Sequence, residues 1–214
     1  PVILLTDGFI GNGSSLWKLP KLEDMPAIYP NYVKAGMEGC KVTARDPETR
    51  VRYWSFPGME GFEHRNGGLE KDYTTGGISS QPDNHELMVK TRQEKVDYIA
   101  NVLPDLTIEG NPDAEVLVIG WGSTRGHLLS AVKEINKKGG KVALAHFNYI
   151  QPLPKNTAEL LNKYPVKLVC ELNSGQFASY LRTKVPGEYL QYNKVQAQPF
   201  TVHELEDHIS SLLN

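Results

Sequence analysis

The most suggestive chemistry in this sequence lies in a glycine-rich turn that follows an apolar run. Gly120, Gly122 and Gly126 form a G-x-G-x-x-x-G pattern within the stretch EVLVIGWGSTRGHLL. A strand, a glycine turn and a helix start, in this order, are typical of a dinucleotide-binding unit, where backbone N–H groups at the helix start hold a phosphate. The third glycine, however, comes one residue later than in that fingerprint.

A second requirement of dinucleotide binding is absent, namely an acidic residue at the end of the next strand that binds the ribose hydroxyl. That strand ends here in AHFNYIQPLP, which contains no Asp, Glu or Arg. The spacing therefore favours a tight turn in which Gly120 and Gly122 permit close packing and Ser123 or Thr124 caps the helix. An NAD-binding oxidoreductase that uses Gly120, Gly122 and Gly126 stays open as the alternative, as does an anion bound at this turn.

Polar side chains also gather after another apolar run, in the stretch CELNSGQFASYL. Glu171 and Asn173 lie at the carboxyl end of a predicted strand, and Gln176 lies at the start of the next helix. Ligands and partners of open α/β sheets dock at this edge. Ordinary capping of the helix by Asn173 or Ser174 is an equal alternative.

Other catalytic patterns are missing from the sequence. His203 and His208, in the stretch HELEDH, are five residues apart and point about 140° apart on a helix, so they cannot bind one zinc ion together. The sequence has no G-x-S-x-G elbow and no P-loop, and its two cysteines are too few for an iron–sulfur cluster. We therefore assign no catalytic residue and no metal site to this chain.

The periodicity of the second half predicts the elements that position these residues. Four strand-like runs at 115–120, 141–147, 166–172 and 188–193 alternate with helical runs, the last of which begins with a capping box of Thr201 and Glu204. Such alternation predicts a three-layer, Rossmann-like α/β domain with a mainly parallel sheet at about 112–214.

The first half is less regular. We expect residues 1–20 to be the last strand of a truncated domain and its exit, and residues 21–111 to be a long connector that lies on another surface. One long helix is predicted inside the connector at about 84–103, capped by Asp83 or Asn84. The stretch ETRVRYW is predicted to form a short strand, in a hairpin.

The bulk composition narrows the classes of partner. The net charge is −2 among 214 residues, which gives no reason to expect nucleic acid or a membrane surface. No apolar stretch is long enough to span a bilayer, and no signal peptide is visible. With Cys40 and Cys170 far apart, and Cys170 predicted to be a buried thiol, the expected location is the cytoplasm.

Several stretches, in order along the chain, resemble the α subunit of the 2-oxoacid:ferredoxin oxidoreductases. They are PVILLTDGFIGNGSSLWKLP, GGLEKDYTTGGISSQPDNHELMVKTRQEK, IGWGSTRG, HFNYIQPLPKN, CELNSGQFASYLR and YNKVQAQPFTVHEL. The similarity covers about 200 residues and is greatest with the 2-oxoglutarate synthase branch. One departure falls at Lys71, where the family often has a histidine.

The resemblance implies a C-terminal fragment whose second domain is similar to the C-terminal domain of transketolases, a Rossmann-like sheet that usually binds no nucleotide. It implies a parent enzyme that oxidatively decarboxylates a 2-oxoacid on thiamine diphosphate, forms an acyl-CoA and passes electrons through an iron–sulfur cluster to ferredoxin. A β subunit would hold the diphosphate, Mg and a cluster, so no cofactor is expected on this chain.

The resemblance also implies that the catalytic groups precede Pro1. Gly120, Gly122, Ser123, Thr124, Glu171, Asn173 and Gln176 are then candidates for contact with a ligand or with the β subunit. This chain is then expected to contact the β subunit and to form one wall of the active site. A non-catalytic interaction module in an unrelated assembly stays open as a further alternative.

Overall fold

The computed structural model of the chain describes residues 3–6, 11–14, 16–33 and 42–213. Its strands are β1 (Ile108–Gly110), β2 (Val116–Trp121), β3 (Val142–Phe147), β4 (Val166–Glu171) and β5 (Leu190–Asn193). Its α-helices are α1 (Pro82–Tyr98), α2 (Arg125–Lys137), α3 (Thr157–Asn162), α4 (Gln176–Lys184) and α5 (Val202–Ser210). Short 3₁₀ helices lie at Leu22–Asp24, Ile99–Asn101 and Gly122–Thr124.

The five strands form one sheet in the order β1-β3-β2-β4-β5. All neighbours from β3 to β5 are parallel, whereas β1 joins the edge antiparallel to β3. The mainly parallel α/β sheet predicted from the sequence is confirmed. β1 was not predicted, because three residues ending at Gly110 are too few to show a period of two.

Apolar residues cover both faces of the central strands, which produces the predicted three layers. Alternate residues of β2 point to opposite faces, so Leu117 and Ile119 pack beneath α3 and α4 while Val116 and Val118 pack beneath α2 and α5. All four side chains are fully buried. Full burial of one such side chain stabilises the fold by about 1.5–3 kcal/mol.

The predicted long helix is present but begins earlier and is capped differently. Pro82 occupies its first turn after Gln81, so the predicted caps Asp83 and Asn84 lie inside α1. The amide of Asn84 instead accepts a hydrogen bond from Tyr73 N (2.8 Å) and donates one to Lys71 O (3.0 Å). The asparagine therefore holds the preceding loop against the helix.

The predicted apolar face of α1 is only partly buried within the described part of the chain. Met88 and Thr91 are buried, but Leu87 and Ile99 are each 43% exposed. The hydrogen bonds of Asn84 to the preceding loop, rather than a stripe of apolar side chains, attach this side of α1 to its neighbours.

The connector contains two compact turns of the same design. Arg45 and Arg52 form an antiparallel bridge around a turn in which Asp46 Oδ1 accepts from Glu48 N and Thr49 N. The chain reverses here as predicted, but the predicted short strand is not formed, because Glu48 and Thr49 belong to the turn and only isolated bridges follow. A second bridge closes a turn in which the carboxylate of Asp72 accepts from two backbone N–H groups in the same way. Ion pairs such as Arg50–Glu94 (2.9 Å) fasten these turns to α1.

The first predicted segment exposes its apolar residues. Residues 3–6 have no regular secondary structure, and Ile3, Leu4 and Leu5 are all more than 80% exposed. The rest of the predicted strand, and Cys40, lie outside the described residues. Within the described part of the chain, no helix is long and apolar enough to cross a bilayer.

Candidate functional site

The order of the strands places one topological switch point in the sheet, between β2 and β4. The connection from β2 leads through α2 to β3 on one side, and the connection from β3 leads through α3 to β4 on the other side of β2. The space beyond the carboxyl ends of β2 and β4, here called the switch-point crevice, is where ligands of open α/β sheets bind. Both groups of predicted site residues lie at this edge.

The glycine-rich turn leaves β2 by a single turn of 3₁₀ helix. Gly122 has φ +60, in the left-handed region that favours glycine. Thr124 is buried, and its hydroxyl donates to Trp121 O at 2.8 Å. Neither Ser123 nor Thr124 caps a helix with its side chain, so the predicted cap is wrong. The reason is that the 3₁₀ turn runs directly into α2, and no extended residue precedes the helix.

Gly120 is required by packing between the strand and the helix. A Cβ atom at this position would lie 2.3 Å from Leu128 Cδ1 and 2.8 Å from Thr124 Oγ1. A Cβ at Gly126 would meet no atom within 4 Å. Gly120 therefore allows α2 to approach β2 closely, as the spacing predicted. Gly126 makes no such contact possible.

Glu171 is fully buried at the end of β4, directly in the switch-point crevice. Its Oε2 accepts from Phe177 N (2.8 Å) and from the indole of Trp121 (3.3 Å), and its Oε1 accepts from Ala178 N (2.9 Å). The N-terminal end of a helix attracts anions through its unpaired N–H groups and its dipole. Here the chain's own carboxylate takes that place at α4.

The remaining N–H groups at the start of α4 are also bound within the chain. Asn173 Oδ1 accepts from Gly175 N (2.9 Å) and Gln176 N (3.0 Å). Gly175 precedes the helix with φ +91, and a Cβ there would lie 2.1 Å from Gln191 Oε1. Capping by Asn173, one of the two alternatives for this stretch, is thus the arrangement present in the structure.

Trp121 fills the crevice between the two strand ends. Its ring lies 6.0 Å from that of Phe177, centroid to centroid, and its N–H points to Glu171. An indole and a carboxylate thus fill the space between the ends of β2 and β4, beside the glycine-rich turn. The NAD-binding alternative still lacks the acidic residue that it requires at the end of β3.

His146, near the end of β3, supports the same turn from the opposite side. Its Nε2 lies 3.1 Å from Gly122 O and so donates to that carbonyl. Its Nδ1 is buried and has no hydrogen-bond partner among the described residues. Burial lowers the pKa of His146, which favours the neutral ring. No sequence pattern predicts this role, because His146 belongs to no motif and its partner is a backbone atom.

The predicted site residues divide into buried and accessible groups. Gly120, Thr124 and Glu171 are buried, and Asn173 is partly exposed. Gly122, Ser123 and Gln176 are exposed at the edge of the crevice. Contact of these residues with a ligand or a subunit stays a prediction.

The described residues offer little other chemistry. His208 stacks on Tyr192 with centroids 4.2 Å apart, whereas His203 lies 3.5 Å from Asp207, so the two histidines face different neighbours. No group of three His, Cys, Asp or Glu side chains in residues 42–213 or the shorter described segments is placed to hold a metal ion. Cys170 is a buried free thiol, as predicted, and burial raises its pKa far above the ordinary value.

The sequence is similar to known proteins along its whole length. It is 42% identical over 214 residues to the 2-oxoglutarate oxidoreductase subunit KorA of Mycobacterium tuberculosis, covering all of this chain and 32% of that protein. It is 25% identical over 226 aligned residues to the α subunit of 2-oxoacid:ferredoxin oxidoreductase 1 of Aeropyrum pernix, covering all of this chain and 34% of that protein. No protein-family model matches the chain.

The fold is similar to a solved structure as well. The 2-oxoglutarate:ferredoxin oxidoreductase of Magnetococcus marinus, solved with 2-oxoglutarate, coenzyme A and succinyl-CoA bound, superposes with a TM-score of 0.78 at 26% identity. The match covers 90% of this chain and 34% of that one. The chain thus spans about a third of the length of the relatives that it matches. By sequence and by fold it belongs to the α subunits of the 2-oxoacid:ferredoxin oxidoreductases, and it fits their C-terminal part.

Proposed function

We propose that this chain is the C-terminal part of the α subunit of a cytoplasmic 2-oxoglutarate:ferredoxin oxidoreductase. The parent enzyme decarboxylates 2-oxoglutarate oxidatively on thiamine diphosphate, forms an acyl-CoA and reduces ferredoxin. The chain itself contributes subunit contacts and one wall of the active site, and the catalytic groups lie elsewhere in the complex.

The observation that carries the proposal is the difference in identity between two relatives aligned over the whole chain. Identity is 42% with a subunit named for 2-oxoglutarate and 25% with one named only for 2-oxoacids. The substrate 2-oxoglutarate is proposed chiefly on that difference. The fold match to a 2-oxoglutarate enzyme supports the same assignment.

The residues of this chain do not fit an iron–sulfur cluster, and those of the switch-point crevice do not fit a diphosphate. An iron–sulfur cluster needs four cysteine ligands, whereas the sequence has two, of which Cys170 is fully buried. A diphosphate needs free N–H groups or cations, and the N–H groups at the start of α4 are bound to Glu171 and Asn173. Thiamine diphosphate, Mg and the cluster are therefore proposed to reside mainly on the β subunit.

Subunit contact is proposed for two exposed regions of the chain. The first is the edge of the crevice, where Ser123 and Gln176 are exposed on a rigid support of strands and helices. The second is the apolar segment with Ile3, Leu4 and Leu5, which is more than 80% exposed. Exposed apolar clusters of this kind mark surfaces that pack against other protein.

A reconstitution experiment tests the proposal. The complete α subunit containing this chain is co-expressed with its β subunit and assayed for CoA-dependent reduction of methyl viologen. We expect 2-oxoglutarate to support faster reduction than pyruvate, and the 214-residue chain alone to support none. Absence of activity with every common 2-oxoacid, or saturable micromolar binding of NADH to the chain, would contradict the proposal.

A further inference from the structure

A small cavity of about 230 Å³ lies in the connector, far along the chain from the switch-point crevice. It is lined by the first hairpin, by the segment that leads into the second turn, and by α1. This volume is below the range of 300–1,000 Å³ that drug-sized ligands occupy, so it suits a small group. The charged side chains that line it are Arg45, Arg52, Glu70, Lys71 and Arg92.

The cavity wall carries an excess of positive charge. Three arginines and one lysine stand against a single carboxylate, that of Glu70, which already accepts from His85 and Arg92. Arginines remain protonated in proteins. Burial lowers the pKa of Arg45, and the nearby charges of Arg52 and Arg92 lower it further. Cations that destabilise one another in this way favour a bound anion.

Donors on this wall are left over after the internal hydrogen bonds are made. Arg45 Nε is buried without a partner among the described residues, and only Nη1 of that guanidinium donates, to Arg50 O at 3.2 Å. Arg52 directs Nε and Nη2 to Val42 O, at 3.1 and 2.9 Å. A buried donor without an acceptor costs about 1–3 kcal/mol, so the chain's own acceptors leave the Arg45 guanidinium incompletely satisfied.

The turns that build the cavity also fix its cations in place. Arg45 and Arg52 face each other across the antiparallel bridge of the first hairpin. Lys71 forms the bridge of the second turn, and its Nζ donates to Leu69 O at 2.6 Å. Arg92 approaches from α1, which Asn84 ties to the same turn. The positive groups thus converge from three separate elements rather than from one flexible loop.

We infer that this cavity binds a phosphate group, either free or carried by a small molecule. The four cations outnumber the carboxylate of Glu70, so the cavity wall has a net positive charge. A divalent oxyanion neutralises this charge better than a ligand with one carboxylate group does. Arginine recognises phosphate oxygens through paired N–H donors, and three arginines line this cavity. The site is separate from the crevice and does not depend on the proposed enzymatic function.

Titration calorimetry of the full chain with inorganic phosphate tests the inference, with sodium chloride at equal ionic strength as the control. We expect saturable binding that Arg45→Gln and Arg92→Gln each weaken by about tenfold, since each removes a charge-assisted hydrogen bond. Glu70→Gln should tighten binding several-fold, because it removes the opposing carboxylate. Glycerol phosphate is titrated in parallel. Tighter binding of glycerol phosphate indicates a phosphate carried by an organic molecule, and tighter binding of inorganic phosphate indicates a free phosphate.

Arg50→Gln is the matched control. Arg50 also joins the first hairpin to α1, through Glu94 at 2.9 Å, but does not line the cavity. Arg50→Gln should change the phosphate affinity by less than about twofold, because it removes only a charge outside the cavity that salt screens. If Arg45→Gln does not fold, Arg92→Gln and Glu70→Gln decide, because both positions are partly exposed. No saturable binding up to 20 mM phosphate, or equal losses in Arg50→Gln, would overturn the inference.

Discussion

Replacing Glu171 by glutamine should destabilise the α/β domain far more than its small change in shape suggests. The amide oxygen of glutamine can accept from only one of Phe177 N and Ala178 N, and the NH₂ group faces the other donor. One buried N–H without an acceptor costs about 1–3 kcal/mol. Loss of the negative charge at the start of α4 removes up to about 2 kcal/mol more. We expect a loss of about 3 kcal/mol in the free energy of unfolding.

Urea denaturation followed by circular dichroism measures this loss. For a chain of this length, 3 kcal/mol corresponds to a decrease in Tm of about 6–12 °C. Glu159→Gln is the control, since Glu159 is exposed and, among the described residues, forms an ion pair only with Lys163, at 2.9 Å. Its stability change should stay within about 0.5 kcal/mol. A Glu171→Gln variant as stable as the control would refute the reasoning, because the carboxylate would then be replaceable by an uncharged group.

Three further outcomes are expected. Gly120→Ala should lower stability by about 1–3 kcal/mol in a thermal melt, because its Cβ overlaps α2, whereas Gly126→Ala should not. Burial lowers the pKa of His146, so the native state binds the proton less readily than the unfolded chain does. Tm should therefore fall as the pH drops below about 6.5, and His146→Gln should weaken that dependence. Asn84→Ala should speed proteolysis of the loop before α1, with the exposed Lys90→Ala cleaved at the wild-type rate.

The α/β domain was predictable because its patterns are local and strong. The central strands consist mainly of apolar residues. The capping box of Thr201 and Glu204 begins α5 as predicted, with Glu204 N donating to Thr201 Oγ1 at 3.3 Å. Short-range signals of this kind fix both the type and the order of the elements.

The connector was not predictable in the same way because long-range polar contacts hold it together. Asn84 appears in the sequence as a helix cap, yet its amide bonds to residues 11 and 13 positions earlier. Asn156 likewise occupies the N-cap position of α3, but its amide bonds to both N and O of Leu106, 50 residues away. An asparagine has the same local preferences in both roles, so only the folded chain distinguishes them.

The candidate site was also predictable only where its features depend on local sequence patterns. The missing acidic residue after β3 was sufficient to weaken the dinucleotide prediction, and the crowding at Gly120 supports a packing role. The presence of Trp121 in the crevice could not be foreseen, because the partners of its indole, Glu171 and Phe177, are more than 45 residues away. No local pattern specifies which side chain fills a crevice.

The closed crevice has a consequence for the order in which the chain folds. The hydrogen bond from Trp121 to Glu171 joins residues 50 apart, and it requires β2, β4 and the first turn of α4 to be in place. Since distant contacts form only after loop closure, we expect this bond to appear in a late step of refolding. Trp17 and Trp54 are 76% and 61% exposed in the native chain. The change in tryptophan emission during refolding should therefore come mainly from Trp121 and follow the closing of the crevice itself.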